Sequence, residues 1–200
     1  MIIPNDRNRQ LQQEISCCNW PDAYPYQPKV AFSAWHDDEY LYLTYKVEEK
    51  YTKAEESTFG KEVYMDSCVE CFIQPDPEDP HYYNFEWNAI GLLAMGCRTG
   101  RSDAEPAPVE VLKQVVVVPS LGSQPFAERI GDNRWTLEVR IPVTALFHHD
   151  IDKWTGKDMK INLYKCGDGL TEPHYLTYAP ISTENPDYHR PEFFVPVHFE

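Results

Sequence analysis

The stretch from Tyr64 to Asn88, YMDSCVECFIQPDPEDPHYYNFEWN, leaves the backbone little choice. Its two ends alternate in side-chain character residue by residue, and the middle, QPDPEDPHY, carries three prolines that forbid a hydrogen-bonded ladder. Strand, turn, strand is the expected reading. In the first strand, Ser67 to Gln74, a period of two puts Val69, Cys71 and Ile73 on one face and Cys68, Glu70 and Phe72 on the other. In the second, Tyr82, Asn84, Glu86 and Asn88 share a face, opposite Tyr83, Phe85 and Trp87. If the two strands pair, Glu70 lies near Asn84 or Glu86, with Tyr64 at the rim. Carboxylates and amides beside an aromatic plane match a sugar ring, whose hydroxyls need paired hydrogen bonds and whose C–H faces need an apolar shelf. The same ladder would also suit a plain solvated sheet face with aromatics filling gaps.

The rest of the chain repeats this pattern. VAFSAWHDDEYLYLTYKVEE reads as a hairpin turning at Asp37 and Asp38, with Val30, Phe32 and Ala34 alternating with Ala31, Ser33 and Trp35, and Leu41, Leu43 and Tyr45 with Tyr42, Thr44 and Lys46. Residues 48–63 are polar and charged and are expected to form a long surface loop beside the candidate site. Further strands are expected from Gly91 to Cys97, in the β-branched part of VLKQVVVVPS, and in a second hairpin, Phe126 to Ile130 and RWTLEVRIP, turning at Gly131-Asp132-Asn133. MKINLYKCGDG, YLTY and VPVHF complete the set, and PVTALFHH can make one short helical turn. About ten strands with minimal helix predict an all-β fold, an antiparallel β-sandwich of immunoglobulin or jelly-roll type. Residues 1–28, with four prolines, read as a wrapping N-terminal segment, and residues 29–200 as the sandwich domain.

The net charge of −14 repels phosphate backbones and anionic headgroups, so neither nucleic acid nor a membrane surface is an expected partner. MIIPNDRNRQ lacks the layout of a signal peptide, which leaves either a cytosolic protein or one whose leader has been removed. Six cysteines, at 17, 18, 68, 71, 97 and 166, are expected as reduced and mostly buried thiols. Cys68 and Cys71 have CxxC spacing, but a strand sends their sulfurs to opposite faces, which disfavours a zinc knuckle.

The succession AFSAWHDDEYLYLTYKV, YMDSCVECFIQP, YYNFEWNAIG, RWTLEVRIP, INLYKC and YLTYAPISTENPDYHRPEFFVPV resembles the family 9 carbohydrate-binding modules over roughly residues 29–199. More distantly it is similar to sandwich domains that bind sugars or haem. The resemblance implies non-catalytic binding of a mono- or oligosaccharide, the terminal sugar of a plant-type or other polysaccharide held between two aromatic side chains. By position Tyr64 and Tyr188 are those aromatics, and Glu70 is an acidic residue that binds hydroxyls. Asn84 and Glu86 take the polar positions of the second strand, where the family has Arg and Asn. The turn-rich segment around Asn185, Tyr188, His189 and Arg190 can supply a shelf and hydrogen-bond donors. A glycoside hydrolase is then a plausible partner, and carbohydrate catabolism the setting.

Two other readings stay open. Glu70 and Glu86 on neighbouring strands can approach the roughly 5–5.5 Å of a retaining glycosidase pair. Yet carboxylates on an open sheet face would both stay ionised, whereas a general acid needs a raised pKa. Haem would need an axial pair such as Met65 or Met95 with His81 or His174. No cofactor is expected, although Asp76, Glu78 and Asp79, or Asp37 and Asp38, offer oxygens for a structural calcium ion.

Overall fold

The structure is a computed structural model and describes residues 1–59 and 61–200. Its strands are β1 (Ile2–Ile3), β2 (Leu11–Glu14), β3 (Cys17–Cys18), β4 (Lys29–His36), β5 (Tyr40–Ala54), β6 (Cys68–Gln74) and β7 (Tyr82–Asn88). They continue as β8 (Leu93–Arg98), β9 (Glu105–Pro106), β10 (Val116–Pro119), β11 (Phe126–Pro142), β12 (Asp158–Cys166), β13 (Tyr175–Thr177) and β14 (Val195–Phe199). One sheet runs β10-β11-β5-β4-β2, and the other β1-β14-β12-β6-β7-β8-β9 with β13 and β3 attached beyond β12. The two pack face to face as a β-sandwich. The pairs are antiparallel except β1 with β14.

The core follows from the alternation. Val69, Cys71 and Ile73 on β6 and Tyr83, Phe85 and Trp87 on β7 point at Leu43, Tyr45 and Val47 on β5 and at Trp135, Leu137 and Val139 on β11. The other face of the larger sheet is also covered. There Cys68, Phe72, Tyr82 and Tyr164 gather a second cluster with Trp20, Val63, Tyr188 and Phe194. Residues 1–28 run across both sheets, β1 beside β14, β2 beside β4 and β3 beside β13.

Two expectations are corrected. The polar stretch 48–63 is not a loop throughout, because β5 continues to Ala54 with Glu49, Tyr51, Thr52 and Ala54 buried. Its polar residues are tolerated because each buried one has a partner, Glu49 meeting Lys165, Trp135 and Thr52. Gly60, in the remainder of that stretch, lies outside the described residues. The expected hairpin at Gly131 is instead one continuous strand, β11, pairing along β5 with register irregularities between Phe126 and Arg129 and between Ile130 and Asn133. Gly131 takes φ +150°, a conformation open essentially to glycine, and the Asn133 amide donates to the carbonyls of Lys50 and Arg129. Turn-forming residues here make a bulge. A four-residue helix, α1 (Val109–Leu112), precedes β10 and has no signal in the alternation.

Candidate functional site

The outer face of the larger sheet carries a cavity of about 590 Å³. Its floor is built by three adjacent strands. Glu70 on β6 stands directly opposite Glu86 on β7, which stands opposite Ala94 on β8; one row along, Phe72, Asn84 and Gly96 are aligned in the same order. The Asn84 amide donates to Glu86 Oε1 at 2.8 Å, and Arg98 Nε donates to Asn84 Oδ1 at 3.0 Å. Arg98 in turn donates to the Arg101 carbonyl, and the Arg101 guanidinium lies 3.6 Å from Asp187. Carboxylate, amide and guanidinium therefore form one connected chain across the floor.

Burial separates the two glutamates chemically. Glu70 is pushed well above the usual carboxylate range, first by burial and then by the charge of Glu86. Glu86 is raised by burial, but the Asn84 amide and Arg98 favour its charged form. Among the described residues the donors to the Glu70 side chain are the thiols of Cys166 and Cys68. Of the two, Glu70 is the one whose charged form is less supported. This corrects the expectation that both carboxylates stay ionised on an open face, since Glu70 is only 3% exposed. A stability consequence follows by linkage. A carboxyl raised in the folded state contributes stability below its unfolded pKa, and that contribution is lost as pH rises through the folded value. Glu70→Gln is therefore expected to gain in melting temperature relative to the parent as pH is raised above about 4.5, and parallel melting curves for the two proteins would refute this.

The walls come from loops. Tyr64 lies in a 3₁₀ turn, Val63–Met65, that the Asp168 amide fastens by donating to the Tyr64 carbonyl at 3.0 Å. Gly169 permits this approach, because a Cβ there would meet the Met65 carbonyl at 2.7 Å. Asp66 braces the same segment by accepting from the amides of Glu55 and Glu56 and from the Asn88 side chain. Asn88, the last polar residue of the β7 ladder, is thus a support and not part of the floor.

Seven of the eight candidate residues line this cavity: Tyr64, Glu70, Asn84, Glu86, Asn185, Tyr188 and His189. Arg190 does not. Its guanidinium turns outward to Glu192, with Nε 2.8 Å from Oε1, and lies over Phe193. The two candidate tyrosines also have unequal parts. Tyr64 is half-buried with its hydroxyl on Glu62, whereas Tyr188 is 8% exposed, stacked on Tyr164 at 4.2 Å and bonded through its hydroxyl to the Lys165 and Leu176 carbonyls. One face of Tyr188 is therefore spent on the protein. His189 packs on Phe72 and meets the Tyr82 hydroxyl at 3.0 Å; burial and the nearby Arg98 and Arg101 push its pKa down to about 3, so the ring is neutral.

Tyr24, Tyr175, Arg98, Arg101, Asp168 and Asp187 also line the cavity and were missed by the sequence reading. Arg98 had the best signal, since it ends the strand next to Asn84. Tyr24 and Tyr175, in edge contact at 4.7 Å, come from segments 151 positions apart, a juxtaposition with no local signature.

The carboxylates of the acidic turns are not left without partners. Asp37 accepts from the amides of Glu39 and Tyr40 and the Tyr42 hydroxyl, Asp38 accepts from Thr155, and Asp76 and Asp79 cap the amides of Glu78 and His81. Asp37, Asp76 and Asp79 close their own turns, and Asp38 ties its turn to Thr155. Haem ligation does not fit: His174 is fully buried with one ring nitrogen at Lys165 Nζ and the other at the Glu172 carbonyl, while His81 is held by Asp79.

The cavity on the outer sheet face thus joins a floor of carboxylate, amide and guanidinium groups to walls that include tyrosines. The chain matches the model of carbohydrate-binding family 9 over residues 3–199, and it belongs to that family. It is similar to a candidate carbohydrate-binding protein of known structure from Bacteroides uniformis, at 41% identity, TM-score 0.93, covering 96% of this chain and 88% of that one. It also shares its fold with a family 9 module from Caldicellulosiruptor kristjanssonii solved with glucose (11% identity, TM-score 0.64, 100% and 95% coverage). The cellotriose complex from the same organism aligns at 11% identity and TM-score 0.60, covering 100% and 93%. No curated protein matches the chain significantly.

Proposed function

We propose that this protein holds the terminal sugar of a polysaccharide or oligosaccharide in the Glu70–Glu86 cavity without cleaving it, beside a glycoside hydrolase in carbohydrate catabolism. The observation that carries this reading is the connected chain of Glu86, Asn84 and Arg98, with Glu70 paired beside Glu86, which offers carboxylate, amide and guanidinium groups to sugar hydroxyls. Tyr64 is the shelf for the sugar's C–H face, with Tyr175 and the exposed edge of Tyr188 as the opposite wall. The family and the glucose- and cellotriose-bound relatives support a sugar ligand.

Hydrolysis is disfavoured by placement. Glycosidase carboxylates flank the scissile bond from opposite sides, whereas directly paired residues of adjacent antiparallel strands stand side by side, with Cβ atoms about 4.5–5.5 Å apart. Glu70 and Glu86 are such a pair, and both would meet one face of a sugar.

Titration calorimetry with glucose, xylose, cellobiose, xylobiose and their reduced alditols tests the proposal. Saturable binding that disappears on reduction, with no hydrolysis product, is the expected result. Tyr64→Ala removes about 60–80 Å² of apolar contact, or about 1.5–2 kcal/mol, so affinity is expected to fall about ten- to thirtyfold. Unchanged affinity in that variant would remove Tyr64 from the site, and no heat with any sugar would overturn the reading.

A further inference from the structure

Behind the sugar-facing floor lies a cluster of which the reading above uses only Glu70. Cys68 on β6 and Cys166 on β12 stand directly opposite each other, and Glu70, two residues after Cys68, shares their face. Cys166 Sγ is 3.1 Å and Cys68 Sγ 3.8 Å from the same oxygen, Glu70 Oε1, and the three donor atoms lie within 4.8 Å of one another. Exposures of 0%, 3% and 2% for Cys68, Glu70 and Cys166 make the cluster a built, desolvated feature of the sheet. Among the described residues no ion pair reaches Glu70. A tetrahedral zinc ion with sulfur ligands at about 2.3 Å and a carboxylate oxygen at about 2.1 Å holds its donor atoms about 3.6–3.8 Å apart. The observed separations bracket that value.

We propose that Cys68, Cys166 and Glu70 form a zinc(II) site at the back of the cavity. Two thiolates and a carboxylate are a donor set that zinc prefers to calcium or magnesium. Binding releases the thiol protons and any proton on Glu70 to solvent, so the ion replaces protons with a dication among three negative ligands. Cys166 and Glu70 also line the cavity, which gives the ion its entry path. The fourth position faces the cavity and is left for water, as in an open zinc site. The local CxxC has no part in this: Cys71 lies in the core on the opposite face, and the true partner of Cys68 comes from 98 positions further on. The site shares Glu70 with the sugar-facing floor, but its metal uptake is read with no sugar present.

The test uses the whole chain, reduced, stripped with a chelator and titrated with zinc against a chromophoric competitor, then with cobalt(II). One equivalent per chain is expected, with a thiolate-to-cobalt charge-transfer absorption. The Cys68→Ser/Cys166→Ser double variant is expected to lose both, and Cys71→Ser to keep them. Should the double variant fail to fold, X-ray absorption at the zinc edge of the parent decides alone, with two sulfur neighbours at about 2.3 Å expected. A shell of only nitrogen and oxygen, no uptake, or full uptake by the folded double variant would each overturn the proposal.

Discussion

Replacing Lys165 with Met is expected to lower the free energy of unfolding by about 3–5 kcal/mol, the range for breaking a buried ion pair from one side. Lys165 on β12 reaches across the sandwich to Glu49 on β5, with Nζ 2.9 Å from Oε2 and both side chains fully buried. Nζ also donates to the Cys166 carbonyl at 2.8 Å and to His174 Nε2 at 2.7 Å. His174 is held well below its usual pKa by burial and by the Lys165 charge, so it is neutral, with Nδ1–H donating to the Glu172 carbonyl. With Met at 165, Glu49 keeps only Trp135 Nε1 at 2.7 Å and Thr52 Oγ1 at 3.0 Å. A buried carboxylate served by two neutral donors is poorly compensated. Urea unfolding of parent and variant measures the loss. A loss below about 1 kcal/mol, the range of exposed pairs, would mean that the charges are not desolvated in solution.

Tyr188→Ala is expected to cost about 3–5 kcal/mol of stability, as for other buried aromatics, and to lose sugar binding as a result of that damage. The sequence reading, which gave Tyr188 the part of a ligand shelf, would have the variant bind nothing and melt like the parent. The structure separates these outcomes because the ring stacks on Tyr164, lies against Trp20 and Tyr175, and anchors its hydroxyl on two strand carbonyls. Tyr188→Phe keeps the stacking and removes the hydroxyl, so a loss of about 1 kcal/mol is expected. Thermal and urea unfolding check both variants; a Tyr188→Ala protein of parental stability would return the residue to a purely ligand-facing role.

Legibility followed the range over which the physics acts. In β6 and β7, alternation alone separates Val69, Cys71, Tyr83 and Phe85 from Glu70, Asn84 and Glu86, because the side-chain period of a strand is a local property. The far half of β5 was unreadable because Glu49 is polar yet buried, and its partners Lys165 and Trp135 lie more than 80 positions away. Gly131 and Asn133 misled for a related reason: the residues of a tight turn are also those of a bulge, and only the neighbouring strand decides between them. In the site, Glu70 was visible while its raised pKa was not, since burial by the segments around Val63 and Tyr188 is a tertiary fact.

The interleaving of β6 and β7 bears on how such a protein can change its ligand. Residues 70, 84 and 86 look into the cavity while their immediate neighbours 69, 71, 83, 85 and 87 are locked in the core, so recognition and folding are written on alternate letters of the same two words. Substitutions at the odd letters are expected to damage the core, whereas of the even letters only 70, 84 and 86 are open to re-specifying the cavity, since Cys68, Phe72 and Tyr82 pack in the second cluster and Asn88 braces Asp66. Adjacent positions are therefore free to diverge at very different rates. A one-residue insertion in either strand, by contrast, would exchange the two sets at a stroke.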